Sequence, residues 1–167
     1  MFAVALALVA ATHVCNAQDD QMRALVGQSL AKLQEPTPEA FLTCIAEMKR
    51  IEAMYPDEIL PKYQMALQSL TYSVMNPQSE QTESLLIETG HTIETLEQMK
   101  DMDQSDLCTL KGFLYMVRIV QDPARNGQRY YLDVMQYYEK ALKINPENKL
   151  ALQLQQRFRE GMKQTGR

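Results

Sequence analysis

The run Tyr138-Glu139-Lys140-Ala141-Leu142-Lys143-Ile144-Asn145-Pro146-Glu147-Asn148 decides how the rest of the chain is read. Glu, Lys, Ala and Leu are good helix formers, so the run begins as helix. Tyr138 and Ala141 fall on one helical face, in line with Val134 one turn earlier. Ala141 is small enough to let a second backbone approach closely, and Pro146 has no amide hydrogen with which to extend a helix. The stretch therefore predicts a helix packed tightly along one face that turns sharply into the next.

The whole composition agrees with a helical chain. Its 167 residues fit one domain, and 46% hydrophobic against 23% charged residues is ordinary for a folded, water-soluble protein. Leu, Met, Gln, Glu, Ala and Lys dominate, and Val, Ile and Thr scarcely alternate, which leaves little material for strands. The fold class expected is all-α. A net charge of −4 with scattered Lys and Arg argues against nucleic acid, whose phosphates require clustered basic residues.

The first seventeen residues carry no charge, run apolar from Phe2 to Val14, and end Cys15-Asn16-Ala17. Small residues at those places suit cleavage before Gln18, so residues 1–17 are expected to be an export signal and residues 18–167 the folded domain. The apolar run falls short of the ~20 residues that span a bilayer, so no stable membrane insertion is expected after cleavage. The style of signal is bacterial, and the expected location is periplasmic or secreted. Cleavage removes Cys15 and His13 and leaves Cys44 and Cys108 at apolar helical positions. A bridge between them is possible, but burial as free thiols is the favoured reading.

Seven helical stretches follow the signal. Asp20 is a candidate cap for the first, with Met22, Leu25, Val26, Leu30 and Leu33 on one face. Thr37-Pro38 opens the second as cap and first-turn proline, with Phe41, Ile45, Met48, Ile51 and Tyr55 as its stripe. The third is expected from about Pro61 to Met75. The fourth follows Ser79, with Gly90 as a close-contact point. Ser105 or Asp106 is expected to cap the fifth, apolar nearly all round from Leu107 to Val120 and hence central. The sixth spans about Gln128 to Ile144 after a loop from Asp122, and the seventh about Lys149 to Lys163. Helix ends near residues 51–56, 99–104 and 141–146 superpose, with offsets of about 48 and 42 residues.

Gly112 and Tyr115 on the fifth stretch, with Val134, Tyr138, Ala141 and Pro146 on the sixth, resemble the glycine, aromatic, small and proline positions of a tetratricopeptide repeat. The match is specific over about a quarter of the chain, and ten residues more than the usual unit separate the two arms. Asp122-Pro123-Ala124-Arg125 is also similar to a loop of short exported tetratricopeptide-like proteins of Bacteroidetes. The resemblance implies about three degenerate antiparallel helical hairpins, a C-terminal capping helix, and a concave face lined by the first helix of each unit that holds a peptide or protein. The family's carboxylate-clamping variety needs Asn beside Lys on those helices, and the fifth offers only Lys111 and Arg118.

Tyr115, Tyr130, Tyr131, Tyr137 and Tyr138 crowd this hairpin, with Arg118, Arg125 and Arg129 beside them. Tyr and Arg are enriched at binding hot spots. Tyr131 and Tyr138 share the face of Val134 and Ala141 and are read as core; Tyr130 and Tyr137, rotated from it, are read as exposed. Partner-binding candidates are therefore Arg118, Arg125, Arg129, Tyr130 and Tyr137, although bracing of a carboxylate or helix end is the first reading for Arg125. Met48, Met99 and Met135 are read as core fillers rather than metal ligands. Glu88 and His91 have the spacing of a carboxylate-bridged metal site but lack a second such pair, so no metal is expected. No nucleophile elbow, phosphate loop, zinc-protease motif or Cys-x-x-Cys occurs, and no catalytic residue or cofactor is assigned. The reading is a non-catalytic interaction module, monomeric and bound to protein or peptide. The alternative is a self-associating structural subunit.

Overall fold

In a computed structural model, which describes the backbone of residues 4–165 and the side chains of residues 17–163, the chain is all-α. Seven helices make it 86% helical, with no strand among the described residues. They are α1 (Val4–Ala31), α2 (Pro38–Met54), α3 (Ile59–Met75), α4 (Glu80–Gln98), α5 (Gln104–Gln121), α6 (Pro123–Ile144) and α7 (Lys149–Thr165), with a 3₁₀ turn at Lys32–Gln34. The side chains of the expected signal lie outside the described residues, apart from Ala17. Among the described residues no helix is long and apolar enough to cross a membrane.

The expected cap at Thr37 is present, and Ser79, after which the fourth helix was expected, caps it; each accepts a backbone N–H of its own first turn. Three boundaries differ from expectation. α1 runs unbroken through Asp20, and Asp19 pairs instead with Arg23 one turn on, at 3.1 Å. α5 is capped by Asp103, whose carboxylate accepts from Asp106 N–H at 2.9 Å. Ser105 is spent elsewhere: its hydroxyl donates to the carbonyl of Ala141 at 2.9 Å. The loop expected after Asp122 does not exist, because Asp122 ends α5 and also caps α6, accepting from Arg125 N–H at 3.1 Å, with Pro123 in the first turn. Asp-Pro is a favourable start signal, so the residues assigned to the loop form the opening turns of α6.

Four of the five other connections repeat one device, the exception being the 3₁₀ passage from α1 to α2. Tyr55–Glu58, Asn76–Ser79, Met99–Met102 and Asn145–Asn148 are tight turns in which the fourth residue's N–H returns to the first carbonyl, at 3.1–3.2 Å. Proline occupies the second position in three of them, where its fixed φ fits the turn. Short turns of this kind reverse the chain and lay consecutive helices side by side. Beyond those neighbours, α1 touches α3, α3 touches α5 and α5 touches α7, whereas the backbones of α2 and α4, and of α4 and α6, make no close approach among the described residues, and a Lys49–Glu88 ion pair spans the first of these gaps. One layer is thus continuous and the other gapped.

α3 divides the core. Met65 and Tyr72 face Met22, Val26 and the α2 stripe, all of whose expected residues are buried. Ala66 and Leu70 face a larger cluster that reaches Phe158 on α7 and has α5 at its centre. Cys44 and Cys108 are both buried free thiols and belong to different clusters, which settles the pairing against a bridge. Met48 is fully buried, and Met99 and Met135 pack against the core as expected.

The α5–α6 junction is the tightest. A Cβ placed on Gly112 would stand 2.8 Å from the Tyr138 ring. Tyr138, Val134 and Ala141 are completely buried, and burial pushes the Tyr138 phenol well above its ordinary range, so it stays neutral. Gly90 is not a close-contact point: nothing lies within 4 Å of a Cβ there. Tyr131 is not core either. It is 38% exposed, with its ring tilted against Phe158 of α7.

Candidate functional site

Two openings flank the α5–α6 corner, and they share no lining residue. The first, of 540 Å³, lies between α4, α5 and α6 and is polar; Glu83, Arg118, Arg125, Asn126, Arg129 and Tyr130 are among its walls. Four of the five partner-binding candidates therefore meet in one place. Arg118 donates to Glu83 at 2.6 Å, and Gln121 donates to the same carboxylate oxygen at 3.0 Å. Burial alone raises Glu83, but these two hydrogen bonds and the Arg118 charge outweigh it and hold the carboxyl below its ordinary range. The bracing contact first assigned to Arg125 is absent: its guanidinium has no carboxylate partner among the described residues, and Asp122 accepts only its backbone N–H.

Beside this opening runs a row of rings. Tyr115 stands between Tyr130, at 5.1 Å between centroids, and Tyr137, at 5.8 Å and nearly parallel. A cation covers each end, Arg129 over Tyr130 at 5.0 Å and Lys111 over Tyr137 at 5.9 Å. Tyr130 and Tyr137 are consequently half-buried rather than freely exposed. Such a row stiffens the surface, since each ring spends one face on its neighbour. Tyr137 sits at the far end of it and does not reach the polar opening.

The second opening, of 600 Å³, follows the continuous layer. Val74 and Met75 of α3 form one wall, Phe113, Met116 and Val120 of α5 the floor, and Leu150, Leu154 and Phe158 of α7 the other wall. Met75 is 56% exposed and Val120 39%. Arg157 is the single ionisable residue in the lining. The sequence reading placed none of its candidates here. Val120 and Met75 are visible in the sequence only as the last apolar residues of their helices; that they face one another depends on α3, α5 and α7 packing in series.

α7 is held in place by a buried polar network that was also not anticipated. Asn148 caps α7 through Ala151 N–H at 3.0 Å, and its amide donates to Ser105 at 2.8 Å and to Asp106 at 2.9 Å. Burial is the main reason the Asp106 carboxyl lies above its ordinary range, with Asp103 adding to it. Elsewhere, Glu88 and His91 part company. Glu88 pairs with Lys49 and His91 with Glu94, so the spacing that hinted at a metal site joins them to different partners. Comparison of the chain with models of known protein families, with curated proteins and with solved structures gives no match.

Proposed function

We propose that this protein is an exported, monomeric, non-catalytic interaction module of tetratricopeptide-like build, and that it binds a short amphipathic helix of a partner protein in the groove lined by α3, α5 and α7. The observation that carries the reading is that groove: 600 Å³, walled almost wholly by apolar side chains, and open. Leu150 to Met162 along its α7 wall spans roughly 18 Å at about 1.5 Å per residue, the length of some three helical turns. Arg157, with no acid in the lining to answer it, favours an occupant that carries a carboxylate among its apolar residues. Support for the repeat-like build comes from α1, α3, α5 and α7 packing in series, from Gly112 against Tyr138, and from Ala141 buried at the same junction.

The test is a selection of displayed helical peptides on the folded protein. Amphipathic acidic sequences are expected, and Met75→Glu with Val120→Glu should weaken them by about tenfold or more without lowering the melting temperature. Peptides that bind the double variant equally well would place the interaction elsewhere. For export, mass spectrometry of the protein from its host should find a chain that begins at or near Gln18; a stable product retaining Phe2 to Val14 would remove that part of the reading.

A further inference from the structure

The polar opening between α4, α5 and α6 has no part in the apolar groove, and its charges are unequally spent. We propose that it is a binding site for a phosphate monoester, held by Arg125 and Arg129 with Arg118 beside them. Arg118 is committed, donating to Glu83 at 2.6 Å and to Gln121 at 3.3 Å. Arg125 and Arg129 lie four residues apart and so share one face of α6. Neither guanidinium has a carboxylate partner among the described residues; Arg129 rests only over the Tyr130 ring. Asp122 also lines the opening, but it already accepts the Arg125 backbone N–H at 3.1 Å and closes the end of α6. Asn126 is likewise spent, donating to the Arg118 carbonyl at 2.7 Å.

Two arginines of one helix face, neither ion-paired to the Glu83 and Asp122 carboxylates that also line the opening, define what fits. A phosphate monoester brings a charge of about −1.5 to −2 near neutral pH and three acceptor oxygens in one group, enough for both forks at once. A single carboxylate brings one charge and two oxygens. The ring beneath Arg129 restricts its side chain, which reduces the ordering needed when an anion arrives. The opening, at 540 Å³, also has room for the group that carries the phosphate. That carrier is either a phosphorylated side chain or a small phosphorylated molecule, and the chemistry at the arginines is the same.

Isothermal titration of the full chain with phenyl phosphate and with a phosphoserine peptide, each against its unphosphorylated counterpart, tests the site. The phosphorylated probe should bind about tenfold tighter or more, and Arg125→Gln with Arg129→Gln should abolish the difference while the melting curve stays in place. Lys at both positions keeps the charge but not the fork, and should restore only part of the affinity. Tighter binding of the peptide than of phenyl phosphate supports a phosphorylated chain as the source, and the reverse supports a free small molecule. Equal affinity for phosphorylated and unphosphorylated probes, or undiminished binding by the Gln variant, overturns the proposal and leaves the apolar groove untouched.

Discussion

Gly112 sets how closely α5 and α6 approach, and it separates two effects that usually oppose each other. In an exposed helix Gly→Ala is stabilising by roughly 0.5–1 kcal/mol, because Ala gives up less backbone freedom. At Gly112 the added methyl would meet the Tyr138 ring at 2.8 Å and Tyr137 Cβ at 3.3 Å, in a junction where Tyr138 has no space to retreat. Gly112→Ala should therefore lower stability by about 1–3 kcal/mol in denaturant titration. Gly90→Ala, with open space around it, should raise stability by up to ~1 kcal/mol. Loss of stability at both positions, or gain at both, would contradict the packing described for α5 and α6.

At the scale of elements, Asn148 ties the start of α7 to α5. Asn148→Ala removes the cap and the donor shared by Ser105 and Asp106, which costs about 1–2 kcal/mol for the cap alone. Hydrogen exchange should then speed most in the first turn of α7; unchanged exchange there would deny the network its role. The amphipathic stripes, the Thr37 cap and the proline turns were legible in the sequence, because each depends on residues within a few positions of one another. The Asn148 network was not, since its partners lie more than forty positions away and Asn after Pro-Glu reads equally well as an ordinary turn residue. The start of α6 was misread for the opposite reason. Gly127 and the polar run around it look like loop, yet the Asp122-Pro123 start signal prevails once Asn126 is fastened to the end of α5. Of the partner-binding candidates, Arg118, Arg125, Arg129 and Tyr130 converge because the corner is one residue long, and a longer loop would have dispersed them.

At the scale of the molecule, the continuous layer of α1, α3, α5 and α7 and the gapped layer of α2, α4 and α6 present different chemistry. The continuous layer exposes an apolar groove with one cation; the gap between α4 and α6 exposes arginines and rings. A peptide and an anion would consequently occupy separate faces, and neither would need to displace the other. Methyl-resolved NMR of the folded protein, recorded with and without a selected amphipathic peptide, tests the central assignment most directly. The groove methyls of Met75, Val120 and Leu154 should shift on titration, while the exposed methyls of Met54, Ile87 and Ile144, which lie outside the groove, should not. Shifts at Met54, Ile87 and Ile144 with the groove methyls unmoved would contradict the account.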